Sequence, residues 1–242
     1  MRGLQASLAF LTRLAPGATV EKEDLAGAMP WLPVVGAFLG LLCIGPFWLT
    51  LLGGHPMVQA WLCVLLSIYL TRALHLDGLS DICDGLATHL EAKRFWEITK
   101  DSRVGAFGVV GLVMALLGQV VLFGELFTAG EYTPAIWVFM VGRLCAVLLG
   151  FAGKSLARPG LGKLFLAGAT LPSALFALMV TLIAGFFLAS LVQLLVGFVV
   201  AVSFQVPLYF LARKVNGLNG DFLGASITVG ELGALLGLLM VS

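Results

Sequence analysis

Long apolar runs separated by short polar breaks organise this chain. About seven segments are long and apolar enough to cross a bilayer as helices of roughly 17–25 residues. They are Trp31–Leu52, Pro56–Leu74, Val104–Phe123, Pro134–Phe151, Thr170–Leu188, Leu191–Leu211 and Leu223–Val241. The fifth and sixth are joined by very little and the last is rich in glycine, so the count lies between about six and eight. Glycines that weaken a soluble helix permit close helix contact in lipid. Ahead of the first run, Leu4–Leu14 is apolar but interrupted by Thr12 and Arg13. It predicts an amino-terminal interfacial helix leading into the acidic stretch EKED. A secretory signal is disfavoured, because no small-residue cleavage site follows. The pattern predicts an all-α, polytopic transmembrane helical bundle, a single domain over residues 1–242 without internal repeats.

Composition agrees. Hydrophobic residues make up 60% of the 242 and charged residues 11%, where a soluble domain carries roughly 25% charge. The few charges fall unevenly. Arg2, Arg13 and Lys22 precede the first span, and Arg72, Lys93, Arg94, Lys100 and Arg103 lie in or beside the connection between the second and third. Lys154, Arg158 and Lys163 follow the fourth, and Arg213 and Lys214 the sixth. The alternate connections, at 53–56, 124–133 and near Ser190, contain no lysine or arginine. The positive-inside rule then puts the amino end and the polar connections in the cytoplasm and the carboxyl end outside. A multi-pass protein of the cell inner membrane is expected, with its chemistry on the cytoplasmic face. Lipid is the expected surrounding partner, and homo-oligomerisation is left open. A net charge of +1 without a basic stripe argues against nucleic acid. Cys43, Cys63, Cys83 and Cys145 are isolated, without metal-ligand spacing, and read as small buried hydrophobes.

The chemistry-bearing stretch is HLDGLSDICDG, residues 75–85. Asp77, Asp81 and Asp84 are spaced i, i+4, i+7, which puts three carboxylates on one face of a helix. Such a like-charge stack is unfavourable unless a cation sits against it. Mg²⁺ suits hard oxygen ligands, with water and substrate phosphate completing its shell, so the three aspartates are expected as metal ligands and catalytic groups. Calcium is a weaker choice without EF-hand spacing, and zinc weaker still, because His75 and His89 have no paired thiolates. Downstream, KDSRVGAFG (100–108) supplies Lys100 and Ser102 as phosphate-binding candidates and Asp101 and Arg103 as catalytic ones. Arg158 in ARPGLG and Asn219 and Asp221 in NGLNGDFLGA extend the binding set. Arg143 lies near the middle of the fourth span, where a charge needs a polar cavity or an acidic partner. It pairs with Glu231 or binds a diphosphate, and substrate binding is the expectation adopted. His75 is open to packing, a bond to Asp81, or base catalysis.

HLDGLSDICDG followed by KDSRVGAFG closely resembles the cobalamin 5′-phosphate synthase family, the adenosylcobinamide-GDP ribazoletransferases. LAFLTRLAP, WLPVVGAFLG, ARPGLG and NGLNGDFLGA resemble further family motifs, so the likeness runs along nearly the whole chain. Leu76 stands where the family commonly has an acid, Ser80 where it often has Ala, and Leu218–Asp221 departs from its T-G-D run. The resemblance implies Mg²⁺-dependent joining of adenosylcobinamide-GDP to α-ribazole or its 5′-phosphate, giving adenosylcobalamin or its 5′-phosphate and GMP. Two alternatives are a CDP-alcohol phosphotransferase, whose A-R pair is missing after Asp77–Gly78, and a small transporter, whose charge should lie at the midplane rather than one face.

Overall fold

The computed structural model describes residues 2–15, 21–88 and 90–242, apart from the side chains of Lys22 and Glu23. Pro16, which closes LAFLTRLAP, and His89 lie outside the described residues. Most of the described residues are helical: α1 (Arg2–Leu11), α2 (Lys22–Ala26), α3 (Leu32–Trp48), α4 (Pro56–Thr71), α5 (Leu74–Leu86), α6 (Ala92–Ile98), α7 (Ala106–Thr128), α8 (Tyr132–Ala152), α9 (Leu161–Ala167), α10 (Leu171–Leu188), α11 (Leu191–Ser203), α12 (Gln205–Lys214) and α13 (Gly220–Leu239). Among the described residues, six stretches are long and apolar enough to span a membrane: those ending in α3 and α12, and α7, α8, α10 and α13. Helices α4 and α5 together are also long and apolar enough, but they are bent by 91° where they meet.

Local sequence sets the ends of these helices. Proline opens α4 at Pro56, where the missing N–H costs nothing. The tight reversal into α11 is a capping box: Ser190 Oγ accepts from Gln193 N at 3.2 Å, and Gln193 Oε1 accepts from Ser190 N at 2.9 Å. Packing then follows small residues. A Cβ on Gly40 of α3 would lie 2.7 Å from Ile136 O, and one on Gly237 of α13 would lie 2.7 Å from Gly197 Cα of α11. Helix α8 is the buried hub, covered by α3, α10 and α13. Phe186, Phe187, Val110 and Met114 point outward from α10 and α7, as lipid-facing side chains should.

The hub also holds a charge at membrane depth. Arg143 is 1% exposed and forms an ion pair with Glu231 of α13. Gln119 of α7 donates to the other oxygen of Glu231 at 2.8 Å, and Phe139 O accepts from Arg143 at 3.2 Å. A buried charge needs this degree of pairing. Arg143 therefore bolts α7, α8 and α13 together and lines no cavity described below, contrary to the expected diphosphate contact.

The second apolar run also ends earlier than Leu74. Arg72 and Ala73 take successive left-handed conformations, with φ of 57° and 56°, and turn the chain sideways. Non-glycine residues adopt this region at a cost, so something must hold them there. Arg72 Nη2 donates to Ala9 O at 2.9 Å and Phe10 O at 2.7 Å, and Arg13 Nε donates to Tyr69 O at 2.8 Å. The last carbonyls of α1 and α4 are thereby satisfied by arginines from the other element. Helix α5 leaves the direction of α4 at 91° rather than continuing it.

Candidate active site

Helix α5 lies against the start of α13 because two glycines let it. A Cβ on Gly78 would sit 2.7 Å from Asp221 O and 2.9 Å from Asp221 Cα, and one on Gly224 would sit 3.3 Å from His75 Cα. This close approach brings Asp77 and Asp81 beside Asp221. Asn219 caps α13, accepting from Phe222 N at 3.4 Å, and its Nδ2 donates to Asp221 Oδ2 at 2.6 Å. One carboxylate oxygen is thus fixed by the cap residue. Asp81 is half-buried, and its carboxyl is pushed up to about 7 by burial and then by Asp221, Asp77 and Asp84.

Beside these acids opens a cavity of about 350 Å³. Asp77, Asn219 and Asp221 form one side and the Arg158–Gly162 loop another, with Phe10, Leu11 and Phe165 as apolar wall. Leu218 holds the loop in place: Arg158 N donates to Leu218 O at 2.9 Å, and Leu218 N donates to Leu156 O at 2.8 Å. The Arg158 guanidinium stacks 4.2 Å over the ring of Trp96. A planar cation on an aromatic face keeps its edge free for oxygen.

Several expected residues lie elsewhere. Asp84 shares the helical face of Asp77 and Asp81, but its carboxylate accepts from Gly105 N at 2.8 Å and Gly108 N at 2.7 Å. It caps α7 from outside that helix, and the two glycines of VGAFG are the residues that admit it. Asp101 and Arg103 pair with each other at 2.6 Å on an exposed loop, and the Arg103 hydrogen bonds hold the Asp101 carboxyl down to about 2. Neither lines the cavity, and Ser102 is exposed beside them. Lys100 lines a separate groove with Lys93, Trp96 and Arg158. Among the described residues, no group of three or more His, Cys, Asp or Glu side chains is arranged to hold a metal ion. Of the three expected aspartate ligands, Asp84 is engaged at the start of α7 instead of at the cavity.

The sequence did not point to the cavity's apolar wall. Phe10 and Leu11 come from the amino-terminal helix, clamped by Arg72, and Phe10 packs 4.7 Å from Phe165 of α9. Their signal was the apolar core of LAFLTRLAP beside a loop ending in GKLF. His75 also lines the cavity; it is 6% exposed, its Nε2 has no hydrogen-bond partner, and it makes no bond to Asp81.

Residues 3–239 match the family described as cobalamin-5-phosphate synthase. The chain belongs to that family. An adenosylcobinamide-GDP ribazoletransferase of Nitratidesulfovibrio vulgaris strain Miyazaki F is 44% identical over 239 residues, covering 99% of this chain and 95% of the relative. Proteins of the same name from Geotalea daltonii and Clostridium botulinum strain Langeland are 36% and 30% identical, with 91% and 96% of this chain covered and 89% and 95% of theirs. No solved structure matches. The cobalamin-5-phosphate synthase match spans α1 through α13, so every element that builds the cavity lies within it. It sets aside the phospholipid-synthesis and transporter alternatives.

Proposed function

We propose that this membrane protein is an adenosylcobinamide-GDP ribazoletransferase. It joins adenosylcobinamide-GDP to α-ribazole or its 5′-phosphate and releases GMP. The family match supports the reaction, and the convergence of Asp77, Asp221 and Arg158 on one cavity supports its location. The acceptor hydroxyl attacks the phosphorus attached to cobinamide; a new P–O bond forms and the bridging P–O bond to GMP breaks. Arg158 contacts the non-bridging oxygens and takes up charge as GMP departs. Asn219 keeps Asp221 turned toward the cavity, and the apolar wall from α1 and α9 limits water at the phosphorus.

The donor set fits Mg²⁺, which proteins hold through one or two carboxylates, with water and substrate phosphate supplying the rest. Asp77 and Asp221 would be those carboxylates, with Asp81 close enough to add charge. When bound, the ion would neutralise diphosphate oxygens and favour attack at phosphorus. Purified protein in lipid nanodiscs should release GMP from adenosylcobinamide-GDP only when acceptor and Mg²⁺ are both present. Turnover that survives exhaustive chelation would remove the metal, and absence of a cobamide product would remove the reaction.

We place the cavity on the cytoplasmic side of the inner membrane because its loops adjoin the basic connections. With Cys83 replaced by Ser, cysteines at His55 and Ala129 should react with an impermeant thiol reagent added outside intact cells. Cysteines at Ser102 and Ser155 should react only after the cells are opened. Outside labelling at Ser155 overturns the placement.

A further inference from the structure

The cavity beside Asp77 and Asp221 changes character with depth. Its polar lining, Asp77, Arg158, Asn219 and Asp221, is half-buried or exposed. Met29, Leu32, Ala146, Leu223 and Ile227 line it as well, and none of these five is more than 9% exposed. Ile227 lies six residues beyond Asp221 on α13, about 9 Å further along the helix axis. Helix α8 runs beside it in the opposite sense. A Cβ on Gly153, just past the end of α8, would meet Leu218 Cδ1 at 2.5 Å, and one on Gly142 would meet Ile227 O at 2.8 Å. Ala146 lies between those two levels, so the cavity runs inward between the helices as an apolar recess. Met29 is wedged at its floor, its Cε 2.8 Å from where a Cβ on Gly150 would fall.

His75 joins the two halves. Its Cα lies 3.3 Å from where a Cβ on Gly224 would fall, midway between Asp221 and Ile227 on α13. It is 6% exposed and its Nε2 has no hydrogen-bond partner. The helices around the recess satisfy their own backbone groups, so this imidazole is the polar group left to offer a ligand. A guanine there would bury several donors and acceptors against one partner, at a cost for each left unpaired. The amide-fringed corrin ring is a worse match on the same ground. The base of α-ribazole is a flat apolar bicycle, dimethylbenzimidazole, with one ring nitrogen free once the other carries the sugar. We propose that the apolar recess is the subsite for the acceptor's aromatic base, with a neutral His75 donating from Nε2 to the free ring nitrogen. A base held at the level of Ile227 leaves its sugar nearer Asp77 and Asp221, where the diphosphate is attacked. This rests on the ribazoletransferase reading above and makes His75 a specificity-determining residue.

The test uses purified protein in phosphatidylcholine nanodiscs with Mg²⁺ and saturating adenosylcobinamide-GDP, and acceptors that differ only in the base. For wild type, removing both methyl groups should raise the acceptor KM roughly tenfold with kcat held, the worth of two buried carbons. Ala146→Leu narrows the recess. It should raise KM roughly tenfold for the dimethylbenzimidazole acceptor, while an imidazole acceptor and adenosylcobinamide-GDP keep their wild-type values. His75→Phe keeps a ring and removes the N–H. It should abolish the wild type's preference for benzimidazole over indole, in which carbon replaces the free nitrogen. Melting temperatures check folding, and where Ala146→Leu does not fold, the methyl series and His75→Phe decide. Normal wild-type turnover with the same KM for every base overturns this inference alone. A raised KM for adenosylcobinamide-GDP in Ala146→Leu overturns it too, and gives the recess to that substrate. A wild type that makes no product with any acceptor overturns both the proposed reaction and this subsite.

Discussion

Asp77→Asn should lower turnover by about a hundredfold to a thousandfold, the scale of removing one electrostatic contact to a reacting group, and leave the melting temperature where it was. Asp84→Ala should do the reverse. The two aspartates occupy the same helical face and both precede a glycine, yet their surroundings differ. Asp77 opens onto the cavity beside Asp221 and forms none of the hydrogen bonds that hold the helices together. Asp84 is buried and accepts two backbone N–H groups at the start of α7. Bonds to a charged acceptor are worth about 1.5–3 kcal/mol, so its loss should appear as a lower melting temperature. Measuring kcat and thermal unfolding of both variants in one detergent separates the roles. Equal catalytic losses with intact folding would return Asp84 to the chemistry and undo the assignment of the metal to Asp77 and Asp221.

The second large effect is on stability. Glu231→Leu should cost about 3–5 kcal/mol, because it leaves the Arg143 guanidinium buried without its counter-charge. Adding Arg143→Met should recover most of that loss, since an apolar pair of similar volume can replace a buried ion pair. Turnover per folded molecule should be retained in the double variant, because Arg143 is absent from the cavity lining. An unrecoverable loss of activity in a well-folded double variant would restore Arg143 to substrate binding.

The spans were legible in the sequence because length and hydropathy decide them, and lipid leaves the backbone few alternatives. The sideways turn at Arg72–Ala73 was not: neither residue is glycine or proline, and the bend depends on bonds to Ala9 and Phe10 far back in the chain. The residues of the carboxyl motif, Asn219 and Asp221, lie beside Asp77 at one cavity, as their shared cytoplasmic rim suggested. Helical spacing grouped Asp84 with Asp77, since spacing defines a face but not what faces it. What separates them is the start of α7, and Gly105 and Gly108 mark it in the sequence only once their partner is known. The charges of KDSR read as a phosphate cradle, whereas Asp101 and Arg103 neutralise each other two residues apart. Arg143 carried its own alternative from the start, in Glu231.

The clasp of Arg72 on α1 also orders events during synthesis. The side chain that secures the end of α1 lies 63 residues beyond Ala9 and is made after it. The wall carrying Phe10 and Leu11 is therefore clasped only once α4 has formed and the chain has turned at Arg72–Ala73. Asp221 arrives later still, after every span but the last. A nascent chain paused before α13 already holds most of its helices and the aspartates of α5, yet has no second carboxylate at the cavity and no Asn219 to aim it. On the proposed assignment of the metal to Asp77 and Asp221, such a chain lacks half of the pair.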